Sequence, residues 1–201
     1  MLDAGIRKII DPALNAGGRW LAAREVTANA VTWAGFGIGA AAAIAISFSW
    51  FWTGLVLLLL SRICDGLDGA VARAGLKSDL GGFLDIVLDF AFYGLIPVAF
   101  ILVDPVANGI AGSLLLLSFY GNGASFLTFA LMAEKRGIGE EERGSKSLFY
   151  TTGLTEATET IAAFVLMCIF PSWFDVIAYV FTAMVVFTTV NRLRQAYEMF
   201  R

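Results

Sequence analysis

Six apolar stretches, near residues 28–48, 51–73, 79–103, 107–133, 148–170 and 174–194, fill most of this 201-residue chain. Each is long enough, or nearly so, for the roughly 20 helical residues that cross a hydrocarbon core. The connections between them alternate in character. Ser49-Trp50, Asp104 to Val106 and Pro171 to Trp173 are short and carry no Lys or Arg. All 14 basic residues lie toward the opposite side: the N-terminal segment, Arg62, Arg73 to Lys77, Lys135 to Lys146, and Arg192 to Arg201. By the positive-inside rule both termini face the cytoplasm, and Trp50, Trp52 and Trp173 mark the other interface, where indole rings prefer to sit. The pattern predicts an all-α membrane protein with six transmembrane helices.

Composition removes the competing classes. With 58% hydrophobic and 15% charged residues, the chain has too little polar surface to clothe a soluble monomer. Fourteen basic against 17 acidic residues leave no surplus to neutralise phosphates, so no nucleic-acid partner is expected. The absence of histidine confines catalysis to carboxylates, amines, hydroxyls or metal-bound oxygen. Cys64 and Cys168 stand alone in separate apolar stretches and read as small buried side chains, neither a disulfide nor a zinc site. Residues 1–24 are expected to be a juxtamembrane segment and 25–201 a single membrane domain. Within the first, Leu2, Ile6, Ile9, Ile10 and Leu14 recur at helical spacing beside Arg7, Lys8, Arg19 and Arg24, which suits an amphipathic helix on the anionic leaflet in spite of Pro12; a frayed terminus is the alternative. Gly35, Gly37, Gly39 and Ala40 to Ala43 suggest close helix packing, and Gly121-Asn122-Gly123 a tight crossing or a kink.

The segment Arg62-Ile-Cys-Asp65-Gly-Leu-Asp68-Gly-Ala-Val-Ala-Arg73, followed by Gly81-Gly-Phe-Leu-Asp85-Ile-Val-Leu-Asp89, puts four carboxylates into two adjacent apolar helices. At roughly 3 kcal/mol for each uncompensated Asp near a helix centre, four would cost on the order of 10 kcal/mol, comparable with a domain's whole stability. Asp65 and Asp68 share a helical face, as do Asp85 and Asp89, with side chains about 5–6 Å apart in each pair. Counting about 1.5 Å per residue from Phe51 and Val103 sets both pairs at a depth of roughly 21–27 Å in a core of about 30 Å. They meet near the cytoplasmic mouth. An all-carboxylate cage suits hard divalent cations, Mg²⁺ or Mn²⁺, with room for two about 4 Å apart. Gly66, Gly69, Ala72, Gly81 and Gly82 leave space for a bulky ligand. Arg73 offers a fixed charge to a phosphate or, alternatively, anchors a lipid headgroup. Structural ion pairs are the competing account of the acids, but only Arg62 and Arg73 are close in sequence and the acids outnumber them.

This spacing, Asp-x2-Asp-Gly-x2-Ala-Arg, seven residues, then Gly-x3-Asp-x3-Asp, resembles the signature of the CDP-alcohol phosphotransferase (CDP-alcohol phosphatidyltransferase) family, filled here by Asp65, Asp68, Gly69, Ala72, Arg73, Gly81, Asp85 and Asp89. Ala28-Asn29-Ala30-Val31-Thr32 is similar to a Pro-Asn-x-aliphatic-Thr stretch that often begins the first span in this family, with Ala28 in place of the proline. The resemblance implies transfer of a phosphatidyl or substituted phosphoryl group from a CDP-linked donor to an alcohol, releasing CMP. It implies metal ligation by Asp65, Asp68 and Asp85, with Asp89 completing the cage and taking the acceptor proton, and cytidine recognition along Asp68, Gly69, Ala72, Arg73 and Gly81. It also implies a homodimer. CDP-diacylglycerol is the expected donor; CDP-choline or CDP-ethanolamine with diacylglycerol as acceptor is the same chemistry with the roles exchanged. The expected setting is a bacterial inner membrane or a plasma membrane, with the active site cytoplasmic.

Lys135, Arg136, Arg143 and Lys146 flank Glu140 to Glu142 in the loop before the fifth stretch. They are a solvated positive-inside loop or, by the resemblance, candidates to hold a phosphorylated acceptor. Glu156 and Glu159, roughly 16–21 Å from the outer side, are candidates to bind acceptor hydroxyls or an ammonium, the alternative being an ion pair with Arg192 or Lys146. A divalent-cation transporter would also place carboxylates in the membrane. Transporters commonly have related halves, however, and these acids have no counterpart in the last three stretches.

Overall fold

The structure is a computed structural model that describes residues 3–75, 78–137, 155 and 157–201, with side chains from residue 10 onward. The described residues form helices and no strands: α1 (Asp3–Ala22), α2 (Ala28–Ser47), α3 (Phe51–Ala74), α4 (Asp79–Val103), α5 (Pro105–Lys135), α6 (Ala157–Ile169), a 3-10 turn (Pro171–Trp173) and α7 (Phe174–Phe200). Four are long and apolar enough to cross a membrane: α2, α4, α5, and α7 with its preceding turn. The third predicted span is present as the 24-residue α3, but Arg62, Asp65, Asp68 and Arg73 crowd its second half. Of the fifth, predicted over 148–170, α6 supplies 13 residues, about 20 Å of helix, and 148–154 and Glu156 lie outside the described residues.

Local chemistry sets the helix boundaries. Thr27 caps α2 by accepting a hydrogen bond from the Ala30 N–H at 3.2 Å, so the helix starts at Ala28 without the proline of the related pattern. Ser78 caps α4 by accepting from the Gly81 N–H at 3.0 Å. Ser49 adopts φ 63° after α2, and the Trp50 N–H returns to the Ala45 carbonyl at 2.9 Å, a left-handed stop that permits the two-residue connection to α3. Asp104 closes α4 and opens α5, its Oδ1 accepting from the N–H groups of Val106 (3.1 Å) and Ala107 (3.0 Å), with Pro105 in the first turn where no N–H is needed. Asp104→Ala is expected to lower stability by about 1 kcal/mol, read as a lower detergent-solubilised Tm with the helix content of the folded state unchanged.

The helices pack in sequence-local groups: α2 against α3 and α4, α5 against α4 and α7, α6 against α3 and α7, and α1 along α3. Fully buried Ile46, Leu58, Phe92, Ile96, Phe100, Leu115, Phe164, Met167 and Phe174 form the core. Phe100 stacks between Phe51 and Phe174, with ring centroids 5.9 and 4.8 Å away. The expected close packing is present at Gly35, where a Cβ would lie 2.9 Å from Cys64 Cβ, and at Gly39, where it would lie 2.6 Å from the Phe92 ring; Gly37 faces open space. At Gly123 a Cβ would run into Phe90, whereas Gly121 faces open space, so Gly123 alone marks a tight crossing, within a continuous helix rather than at a break. Both cysteines are free. Trp50, Trp52 and Trp173 are all exposed and sit at the helix ends remote from the aspartates.

α1 is one continuous helix through Pro12. It lies tightly on α3: a Cβ at Gly18 would stand 2.6 Å from Ala70 Cβ, one at Gly17 2.9 Å from Leu67, and one at Gly66 2.7 Å from Leu14. Asn15 Oδ1 accepts a hydrogen bond from Arg73 Nη2 at 3.0 Å.

Candidate active site

The two aspartate pairs converge as the helical spacing requires. Carboxylate oxygens of Asp65, Asp68 and Asp85 lie within 4.8 Å of one another, Asp65 and Asp68 from α3 and Asp85 from α4. Asp68 is buried at 5% exposure, and its Oδ2 has no hydrogen-bond partner. A shielded carboxylate oxygen left without a donor is costly unless a cation meets it. The donor set is oxygen alone, which matches hard divalent cations, so the residues present fit the expected Mg²⁺ or Mn²⁺.

Asp89, one helical turn beyond Asp85, stands apart from this trio. Its Oδ1 accepts from Arg62 Nη1 at 2.5 Å, and the same nitrogen lies 3.5 Å from Asp65 Oδ1. The ion-pair account of the acids therefore holds for Arg62 with Asp89 and Asp65. It does not reach Asp68 or Asp85, for which no ion pair is found among the described residues.

Beside the carboxylates opens a cleft of about 500 Å³ lined by Thr27, Asn29, Thr32, Asp68, Gly69, Ala72, Gly75, Ser78, Gly81, Gly82 and Asp85, within the roughly 300–1,000 Å³ usual for small-molecule sites. The first turns of α2 and α4, with their capping Thr27 and Ser78, both open onto it, so two positive helix ends bear on the space where phosphates would lie. Gly81 keeps the wall clear, since a Cβ there would be 3.0 Å from Asn29 Oδ1 and from Ser78 Oγ. Arg73 folds back until its Nη1 is 3.3 Å from where a Gly69 Cβ would be. Four of the five residues expected at the nucleotide, Asp68, Gly69, Ala72 and Gly81, line this one cleft, and Arg73 lies over Gly69 beside it. A narrower crevice bordered by Thr32, Gly35, Ser61, Arg62 and all four aspartates shares Thr32, Asp68 and Asp85 with the cleft.

Of the residues considered for the acceptor, the described ones, Lys135, Arg136 and Glu159, do not line this cleft. Arg136 donates to the carbonyls of Met199 (3.1 Å) and Phe200 (2.5 Å) at the end of α7, and Lys135 is exposed at the end of α5. Glu159 lies in the first turn of α6; Glu156, Arg143 and Lys146 lie outside the described residues. Arg192, considered as an ion-pair partner for the glutamates, donates to Asn122 Oδ1 and Ser125 Oγ, each at 2.8 Å. Asn15 and Ser78 were not among the expected site residues, while Arg62 entered only as an ion-pair partner for the acids and Thr32 only within the stretch that begins the first span. Arg62 carried a signal, a guanidinium three residues before Asp65 in an apolar helix. Asn15 carried none, being 58 residues from its partner.

Two comparisons bear on the identity of this site. The chain is 45% identical over 197 residues to the Escherichia coli (strain K12) inner membrane protein YnjF, covering 98% of this chain and 96% of that protein. The family model described as CDP-alcohol phosphatidyltransferase matches residues 25–191, which include the whole aspartate signature and the cleft walls from Glu25 to Asp85. This chain, whose described residues are helical and bring a carboxylate trio beside a cleft of small-molecule size, is a transferase of substituted phosphate groups, and it belongs to the CDP-alcohol phosphatidyltransferase family.

Proposed function

We propose that the protein is a six-span enzyme of phospholipid biosynthesis that transfers the phosphatidyl group of CDP-diacylglycerol to an alcohol and releases CMP. The observation that carries the reading is the meeting of Asp65, Asp68 and Asp85 beside the glycine-lined cleft, whose wall includes Asp68 and Asp85. Residues 1–24 form the juxtamembrane segment and 25–201 the membrane domain. Both termini and the cleft face the cytoplasm of a bacterial inner membrane, a placement supported by the distribution of the 14 basic residues and by the name of the E. coli relative. The active protein is a homodimer.

Asp65, Asp68 and Asp85 would hold Mg²⁺ or Mn²⁺, which when bound supplies positive charge against the donor's pyrophosphate and the departing CMP phosphate. Gly69, Ala72 and Gly81 leave room for the nucleotide, and Arg73 with the first turns of α2 and α4 neutralises its phosphates. Arg62 holds one oxygen of the Asp89 carboxylate and so aims it, leaving the other oxygen for the acceptor. Asp89 takes the hydroxyl proton as the acceptor oxygen bonds to the phosphorus that carries diacylglycerol; the bond from that phosphorus to the CMP oxygen breaks, and CMP leaves with the electron pair. Lys135, Arg136, Arg143, Lys146, Glu156 and Glu159 remain the acceptor candidates, the basic four for a phosphorylated alcohol and the glutamates for hydroxyls or an ammonium.

The test is CMP release by purified protein in liposomes containing CDP-diacylglycerol and Mg²⁺ or Mn²⁺, across polyols, phosphorylated polyols and amino alcohols. Acceptor-dependent release that a chelator stops is the expected result, and it names the acceptor. Asp89→Asn is expected to reduce kcat by about 10²–10⁴-fold, the usual worth of a positioned base, with donor KM little changed. Release only from CDP-choline or CDP-ethanolamine with diacylglycerol would exchange the donor and acceptor roles. Silence from every CDP-linked donor in protein that still binds divalent ions would favour cation transport.

A further inference from the structure

The four-carboxylate cage was expected from sequence to hold two divalent ions, but the space between two of its members is already taken. Arg62 Nη1 lies 2.5 Å from Asp89 Oδ1 and 3.5 Å from Asp65 Oδ1. With Asp65, Asp68 and Asp85 as the residues that would hold a first ion, Asp89 is the carboxylate left to hold a second, and it is the one that Arg62 engages. We infer that the Arg62 guanidinium is a built-in cation standing in the second metal position, so that the site takes one divalent ion per chain. This inference rests on the metal-dependent transferase reading above.

The guanidinium sits in a socket made for it. Its side chain is only 10% exposed, and its carbon lies 3.8 Å from the centroid of the fully buried Phe92 ring, a cation-π seat. Nη2 donates to Ser61 Oγ at 3.3 Å, and Ser61, itself fully buried, donates to the Gly35 carbonyl at 2.8 Å. Gly39 is what allows this arrangement, because a Cβ there would meet both Phe92 (2.6 Å) and Ser61 Oγ (2.9 Å). An arginine keeps its charge at any working pH. It cannot yield its place by losing a proton, and swinging out would strand a cation among apolar helices. A second divalent ion entering between Asp65 and Asp89 would meet that fixed charge at ion-pair distance. Arg62 is thus a positioning residue, holding Asp89 for proton abstraction while setting the metal count.

The experiment measures metal stoichiometry directly. Purified full-length protein in detergent is equilibrated with Mn²⁺; bound metal is counted by mass spectrometry and paired ions are detected by the spin-coupled electron paramagnetic resonance signal. Wild type is expected to saturate at one Mn²⁺ with no coupled signal. Arg62→Met, which keeps the length and the contact with Phe92 but removes the charge, is expected to take up two with a coupled signal, and Arg62→Lys to remain at one. Two coupled ions in the wild type, or one ion in folded Arg62→Met, would overturn the inference. The wild-type count stands by itself if Arg62→Met does not fold. CMP release is assayed in parallel: two ions with intact turnover reject only the role given to Arg62, whereas no bound ion and no CMP release reject the transferase mechanism itself.

Discussion

Asp68→Asn is expected to abolish acceptor-dependent CMP release, by about three orders of magnitude or more, while leaving the protein folded. Loss of a metal contact that meets developing phosphoryl charge removes several kcal/mol of transition-state stabilisation, and about 4 kcal/mol is roughly a thousandfold. The same substitution has the opposite effect on the metal-free protein. Asp68 is buried with an unsatisfied Oδ2 and two carboxylates within 4.8 Å, so replacing one charge by a neutral amide removes repulsion and desolvation cost. Without divalent ions, Asp68→Asn is expected to melt higher than wild type, by ~1–3 kcal/mol in stability. With Mn²⁺ the order reverses, because ligand binding to the native state stabilises wild type by mass action and the variant has lost that linkage. Thermal melts of both proteins with and without Mn²⁺ check this; parallel melting curves for the pair would mean that Asp68 does not contribute to an ion site.

Phe92→Ala is expected to cause the largest loss of stability from a single truncation, about 3–5 kcal/mol. Phe92 is fully buried and meets Tyr93 and Phe164 edge-on at 5.7 and 6.4 Å, besides carrying the Arg62 guanidinium. Removing the ring opens a cavity where α2, α3, α4 and α6 come together and takes away the platform under a buried cation. Phe92→Leu restores much of the volume but not the π face. It is expected to recover most of the Tm while leaving kcat reduced, since Asp89 then hangs on a guanidinium with one fewer constraint. Equal recovery of Tm and kcat in Phe92→Leu would show that Phe92 serves packing alone.

What the sequence disclosed and what it hid follow from range. The convergence of Asp65, Asp68 and Asp85 was legible because helical periodicity sets each pair on one face and equal distances from Phe51 and Val103 set them at one depth. The packing roles of Gly35, Gly39 and Gly123 were legible in kind, but the partners that make them necessary, Cys64, Phe92 and Phe90, come from other helices. Asp89 shows the limit most clearly. Its i, i+4 relation to Asp85 pointed into the cage, yet a guanidinium 27 residues earlier draws it aside, and no local pattern reports which of several acids an arginine will choose. Of the fifth predicted span, 148–170, the described residues bear chiefly on the part from Ala157 onward, which is helical to Ile169.

The seat of α1 on α3 imposes an order on biosynthesis. Leu14, Asn15, Gly17 and Gly18 leave the ribosome early, but the surface they need, Gly66 to Arg73, is made later, with 58 residues separating Asn15 from Arg73. At about 5–20 residues per second that is a wait of roughly 3–12 s. Through this interval the α3 surface on which α1 packs in the folded structure has not yet been made, and the seat forms only once α3 is complete. Arg73 therefore receives its Asn15 contact late. The nascent chain completes this contact only when a segment made 58 residues earlier comes back to Arg73.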